Sequence, residues 1–212
     1  MKNLFFTVFV CILCITQINA QADSTSPEIG VKAGVNFANI VGDDIDDLDS
    51  RTSFNVGLFM EIPLSERFSF QPELLYSGQG FTIMTNDQDN VFDTDENIEY
   101  QLSYIQVPLL AKIYLVEGLS IEAGPQFGFK INEEIDTEPT GDGGDTVIDP
   151  DDSYIKDFDT SLALGAGYKF NNGFFVNARY TYGLTNIFKD DTIFEDVDAK
   201  NAVWQFGLGF AF

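Results

Sequence analysis

Residues 119–131 read LSIEAGPQFGFKI, and a two-residue alternation runs through the whole stretch. Leu119, Ile121, Ala123, Pro125, Phe127, Phe129 and Ile131 share one face. Ser120, Glu122, Gly124, Gln126, Gly128 and Lys130 share the other. Successive side chains of a strand point to opposite faces, so this stretch reads as a long β-strand; helical spacing would mix the two sets.

The same pattern continues in both directions. Glu28 to Ile40 sets Ile29, Val31, Ala33, Val35 and Phe37 against Gly30, Lys32, Gly34 and Asn36. Thr52 to Ile62 sets Phe54, Val56, Leu58, Met60 and Ile62 against Asn55, Gly57, Phe59 and Glu61. Phe68 to Gln79 sets Phe68, Phe70, Pro72, Leu74 and Tyr76 against Ser69, Gln71, Glu73, Leu75 and Ser77. Phe158 to Phe170, Phe174 to Leu184 and Asn201 to Phe212 repeat it. Ile98 to Leu115 is less regular: Ile98, Tyr100, Leu102 and Tyr104 alternate in one phase, then Ile105, Val107, Leu109, Ala111 and Ile113 in the other. One extra residue near Tyr104 would switch the face, as a β-bulge does. Alternatively, Ile98 to Tyr104 extends beyond a membrane as a loosely paired ribbon.

These segments predict eight strands. Their connections alternate strictly between short (63–67, 116–118, 171–173) and long, acidic ones (41–51, 81–97, 132–157, 185–200). Asn171-Asn172-Gly173 is a strong hairpin signal. Strands of this length span a bilayer when tilted. Short turns on one side and long loops on the other are the pattern of an outer-membrane barrel, giving an all-β, eight-stranded, antiparallel, up-and-down transmembrane β-barrel. Both termini are expected in the periplasm and the four long loops outside.

The charges agree. In the phase above, the apolar faces carry none, and the opposite faces carry Glu61, Glu73, Glu99, Glu122 and Asp159 with Lys32, Lys112, Lys130, Lys169 and Arg179. A charge facing lipid at the midplane costs about 2–4 kcal/mol. Enclosed charges must instead pair and hydrogen-bond, which predicts an ionic network inside the barrel. The chain closes on WQFGLGFAF, with Trp204, Phe206, Leu208, Phe210 and Phe212 on one face. A period-two apolar strand ending in Phe resembles the signal read by the barrel assembly machinery, an expected partner during insertion.

The first twenty residues read as a signal peptide: Met1-Lys2-Asn3, an apolar run from Leu4 to Ile15, and Ile18-Asn19-Ala20 before Gln21. Residues 21–212 then form a single barrel domain. Cys11 and Cys14 both lie in the signal segment, so the mature chain has no thiol chemistry. With 34 acids against 11 bases and a net charge of −23, the chain should repel nucleic acid.

SYIQVPLLAKIYL (Ser103 to Leu115) gives the pattern a family character, together with GVKAGVNFANI (Gly30 to Ile40), FSFQPELLYSGQG (Phe68 to Gly80) and ARYTYGLTNI (Ala178 to Ile187). These stretches resemble the PorT-family outer-membrane β-barrel domain across essentially the whole mature chain. The resemblance implies an eight-stranded transmembrane barrel; some relatives take part in type IX secretion, and most have no assigned activity. The acidic segment Asn132 to Asp157 is not part of the resemblance.

Catalysis finds little to work with. Outer-membrane palmitoyl transferases, lipid A deacylases and omptin-like proteases all use a histidine, and this chain has none. Carboxylate-only chemistry needs a pair poised over a cleft, whereas the inward acids here are matched by bases. The long loops hold 25 of the 34 acids. Asp93 to Asn97 begins like an EF-hand, but Ile98 stands where glycine is required and Tyr104 where the bidentate Glu belongs. Solvated, mutually repelling loops are the favoured reading, and no metal or cofactor is assigned. The inward glycines open no helix and so cradle no phosphate; they make room for neighbouring long side chains. Pro72, Pro108 and Pro125 fall within strands and call for bulges or frayed ends. The expected role is a non-enzymatic barrel serving structure, adhesion or partner binding, embedded in outer-membrane lipid. Its rivals are a narrow pore for small solutes and a barrel subunit of a secretion or envelope complex.

Overall fold

The computed structural model describes residues 26–42, 48–83, 98–137, 145–149, 153–189 and 197–212. The signal segment 1–20 and the EF-hand-like run Asp93 to Asn97 lie outside the described residues. The chain forms β1 (Glu28–Val41), β2 (Leu48–Pro63), β3 (Phe68–Ile83), β4 (Ile98–Val116), β5 (Leu119–Asp136), β6 (Asp145–Val147), β7 (Phe158–Lys169), β8 (Phe174–Gly183) and β9 (Lys200–Ala211). The sheet order is β4-β3-β2-β1-β9-β8-β7-β5, every pairing is antiparallel, and β4 pairs with β5 to close an eight-stranded barrel. The short β6 adds to the far end of β5, pairing Glu134 with Val147. The first and last strands meet as expected, from Gly30 with Ala211 to Val41 with Lys200.

The predicted faces hold in the wall. Val31, Val35, Phe37, Phe54, Val56, Leu58, Leu74, Leu162, Leu164, Val176, Leu208 and their like point outward and are exposed to what surrounds the barrel. Lys32, Asn36, Asn55, Glu61, Gln71, Glu73, Gln106, Lys112, Glu122, Gln126 and Arg179 are buried inside. That inversion, with apolar groups out and polar groups in, is stable only where the exterior is lipid. Aromatic pairs on the outer surface, Tyr180 with Trp204 and Phe174 with Phe210, lie toward opposite ends of β8 and β9, as interfacial girdles do.

Three corrections concern local backbone. First, β4 does not switch faces: Leu102, Tyr104, Gln106, Pro108, Leu110 and Lys112 all point inward in one continuous phase. The register shift lies where expected, between Ser103 and Tyr104, but the extra residue belongs to the partner strand. Ser103 pairs with Asn132 and Tyr104 with Lys130, so Ile131 of β5 is the bulged residue, and β5 changes phase beyond it. Second, Glu99 therefore does not face the interior; its partner is described below. Third, the prolines sit neither at bulges nor at frayed ends. Pro72 pairs with Leu109, Pro108 with Gln126 and Pro125 with Leu162, on three adjacent strands. The ladders lapse beside them and resume in the same register at Leu75–Gln106 and Ala111–Ala123, so the missing donors share one local gap in the wall.

Two turn glycines have backbones that other residues rarely adopt, Gly118 (φ 80°) between β4 and β5 and Gly173 (φ 87°) between β7 and β8. Inside, Gly30 and Gly209 leave space for rings: a Cβ on either would lie within 2.5 Å of Phe59 or Phe175, which meet edge-to-face across the lumen at 5.2 Å. With the turns in the periplasm, protease treatment of intact cells should cut the third long loop first. Because Ile155 is buried and held by a bridge to Phe188, the cut is expected before Ser153. Cleavage at 116–118 or 171–173 with the long loops intact, read by mass spectrometry of released peptides, would invert the topology.

Candidate functional site: the barrel interior

The interior is built in three tiers, each traceable to the inward residue that each strand contributes. Nearest the turns is the ionic tier. Arg179 of β8, 0% exposed, grips Glu73 of β3 with two parallel bonds, Nη1 to Oε2 and Nη2 to Oε1, both 2.8 Å. The same guanidinium reaches Glu122 of β5 through Nε at 2.8 Å and Nη2 at 2.6 Å. Lys32 of β1 approaches Glu73 at 3.3 Å from a third side. Gln71 carries the network onward: its Nε2 donates to Glu73 at 2.7 Å, and its Oε1 accepts from Lys112 at 3.0 Å. Lys112 also pairs with Glu61 at 3.0 Å, and the Tyr114 hydroxyl donates to the other oxygen of Glu61. Three acids and three bases thus neutralise one another out of water, with each carboxylate held by several donors as buried charges require. Gly165 contributes by its smallness, since a Cβ there would stand 2.9 Å from Glu122 Oε1. At the turn-end mouth Lys169 pairs with Glu28, an acid the sequence reading left out of the network.

Above this lies a tier of uncharged groups. Asn36, Asn55, Ser77, Gln106, Gln126, Ser161, Thr181 and Gln205 are all buried, one from each barrel strand. Asn36 donates to Ser77 Oγ at 2.9 Å and accepts from Asn55 at 2.6 Å, tying the neighbouring strands β1, β2 and β3 together on the inner face.

The loop end is closed by an apolar tier that the sequence reading missed. Ile40, Phe81, Leu102, Tyr104, Ile155, Ile187 and Ala199 form a buried cluster, joined by Tyr100, Phe188 and Val197. Ile155 belongs to the third long loop, which dips into the barrel mouth. It is anchored there by Lys156 N–H to Ile187 O at 2.7 Å and Lys189 N–H to Tyr154 O at 2.9 Å. Beside it, Lys130 pairs with Glu133 at 2.6 Å and donates to Ser153 Oγ at 2.7 Å and Ile155 O at 2.8 Å. Glu133 also accepts from Tyr100 Oη at 2.6 Å. Tyr100 lies on β4 six residues past Gln106, beyond the span a bilayer needs; burial first, and Glu133 second, push its phenol far above the ordinary range and keep it a donor.

Nine of the ten expected interior charges therefore do lie along the barrel interior or its mouths. Glu99 does not: it pairs with Arg51 at 3.1 Å in the extension beyond the wall and is 29% exposed at the side chain. The partner of Lys130 is Glu133, which the Ile131 bulge turns inward. Asp159 is inside, and among the described residues no base pairs with it; its Oδ1 accepts from Thr185 at 2.8 Å.

Among the described residues, the ionic tier leaves little room. The enclosed space beside Lys32, Gln71, Lys112 and Glu122 is about 10 Å³, the lower limit for one water.

Residues 19–189 match the family described as "Outer membrane protein beta-barrel domain". The chain belongs to that family. As an outer-membrane β-barrel it is placed in the cell outer membrane, which accounts for the apolar exterior. Solved structures with similar folds include Ail, the attachment invasion locus protein of Yersinia pestis, at 19% identity, TM-score 0.48, covering 88% of this chain and 99% of that one. Neisserial surface protein A matches at 12% identity and TM-score 0.48, with 88% and 99% covered. OprG from Pseudomonas aeruginosa matches at 12% identity and TM-score 0.45, with 89% and 97% covered. Among curated proteins, none matches this chain.

Proposed function

We propose that this outer-membrane barrel is a sealed, non-enzymatic protein that acts through its loop face, by adhesion or by binding a partner, and not as a conduit. The observation that supports this is the packing of paired charges and apolar side chains inside the barrel. Arg179, fully buried, ties β3, β5 and β8 together at its centre, and Ile155 closes the loop end. Opening a path would mean separating buried opposite charges, at several kcal/mol for each ion left unpaired. The carboxylates that a hydrolase would need are held by the same guanidinium, so Glu73 and Glu122 neither flank a cleft nor stand free to move a proton. The charge imbalance lies instead in the long loop segments, which hold 25 acids and four bases. Such a surface favours cationic partners and disfavours anionic ones.

The sealed reading is tested by adding purified, refolded protein to planar bilayers. Quiet membranes are expected, with only rare, unresolved current. Stable single-channel steps of uniform size would overturn it in favour of the small-solute pore. A second reading, a barrel subunit of a secretion or envelope complex, rests on the PorT-like stretches, SYIQVPLLAKIYL above all. Crosslinking in native membranes would recover a stoichiometric envelope partner if that reading holds.

A further inference from the structure

Asp159 is the interior carboxylate that the ion pairs leave over. It is buried inside β7, and the donors that reach it are neutral: the Thr185 hydroxyl at 2.8 Å, with the Asn201 carboxamide and the Thr160 amide beside it. The bases that face the lumen are committed elsewhere: Arg179 to Glu73 and Glu122, Lys32 to Glu73, Lys112 to Glu61, and Lys130 to Glu133 and Asp157. Among the described residues, the interior therefore holds one acid more than it has bases, and burial makes that unpaired charge costly.

The surrounding groups are rich in unused oxygen. Asp159 pairs in register with Gly128 of β5, and Gly128 with Gln106 of β4. Gly128 contributes no side chain, so Gln106 and Asp159 are the side chains that flank this rung. One rung nearer the turns, Gln126 faces Ser161, and its Nε2 donates to Ser161 Oγ at 3.4 Å. Gln106 Oε1 and Gln126 Oε1 are buried acceptors with no hydrogen-bond partner. Gln106 is 1% and Gln126 0% exposed. The ring of Tyr104 lies over Gly128 and covers the place from the loop side, 3.4 Å from where a Cβ would stand.

We infer that this place binds one small monovalent cation, of the sodium or potassium kind, between the Asp159 carboxylate and the carboxamide oxygens of Gln106 and Gln126. Oxygen donors suit a hard cation. The charge deficit is one, so a single monovalent ion restores neutrality and a divalent ion would overshoot it. The described residues also contain no group of three acidic or other metal-ligating side chains that would select a divalent ion. The acidic loops above concentrate small cations at the mouth.

The mature barrel, refolded in detergent micelles, provides the test. Its half-unfolding temperature is measured by heat-shifted gel mobility at pH 7.5, with sodium or potassium chloride replacing N-methylglucamine chloride at constant ionic strength. At tenfold saturation the wild type is expected to gain about 3–5 °C from the small cation. Asp159→Asn, nearly the same shape and uncharged, is expected to melt at one temperature in all three salts. Gln106→Leu keeps the carboxylate and should raise the half-saturating cation concentration about tenfold, the loss of one oxygen ligand. A wild type indifferent to the cation overturns the inference; if it also loses stability as pH rises from 5 to 8, a proton is the neutralising species. A response to calcium or magnesium alone, or full cation dependence in Asp159→Asn, overturns it equally.

Discussion

Arg179→Met is expected to cost the barrel about 3–5 kcal/mol, the loss typical of a buried ion left without its partner. Methionine fills much the same volume, so the effect reports charge more than a cavity. Glu73 would lose two 2.8 Å bonds and Glu122 its guanidinium partner, leaving two carboxylates to share what Lys32 offers. Against a typical total of 5–15 kcal/mol, that is a large fraction of the stability. Lys32→Met should cost less, because its contact with Glu73 is the longest of the set at 3.3 Å and Arg179 still holds that carboxylate. Replacing Arg179, Glu73, Glu122 and Lys32 together by apolar residues should recover much of the loss, since no charge is then stranded. Urea midpoints followed by heat-shifted gel mobility in detergent give the order directly. A midpoint for Arg179→Met equal to that of the wild type would mean the network fills space without holding the wall.

The wall was legible in the sequence because lipid imposes a one-sided rule: every outward position must be apolar, and a period of two then assigns every inward one. Lys32, Glu61, Glu73, Glu122 and Arg179 followed at once. Their pairing was not legible. Glu73 and Arg179 lie 106 residues apart, and only the closure of the barrel decides which rung faces which across the lumen. Glu99 was misplaced for a more local reason. Leu102 and Tyr104 are apolar, so the lipid rule assigns them outward and flips β4, but beyond the membrane the rule lapses and the inside can be apolar. The same lapse hid Glu133, turned inward by one bulged residue, Ile131. It hid Ile155 too, an isolated apolar side chain in an acidic loop, whose only signal was its standing among charges with nothing local to cover it.

Deleting Phe212 should lower outer-membrane abundance strongly while barely changing the stability of whatever barrel forms. The structure separates these two effects. Phe212 is 74% exposed, beyond the end of β9, so little apolar area is lost with it, at about 25 cal/mol per Å². Its ring touches Phe210 edge-to-face at 5.4 Å, and its amide donates to Ile29 O at 2.9 Å. Those are one aromatic contact and one hydrogen bond, together about 1–2 kcal/mol. The ladder between β1 and β9 is complete without it, from Gly30–Ala211 upward. A residue that matters this little to the finished wall can matter a great deal before the wall exists. Trp204, Phe206, Leu208, Phe210 and Phe212 form an apolar stripe at the chain terminus, which the insertion machinery would meet while β9 is still unpaired. The defect is therefore expected in delivery, with the unfolded chain held in the periplasm and degraded. Quantitative fractionation should show that loss, while protein refolded in vitro keeps a urea midpoint close to the wild type. Phe127→Leu, on the outer face at mid-strand, serves as the control and should leave abundance nearly unchanged. Normal insertion of the Phe212 deletion would refute the assembly role. A midpoint falling in step with abundance would instead assign the residue to the stability of the closed barrel.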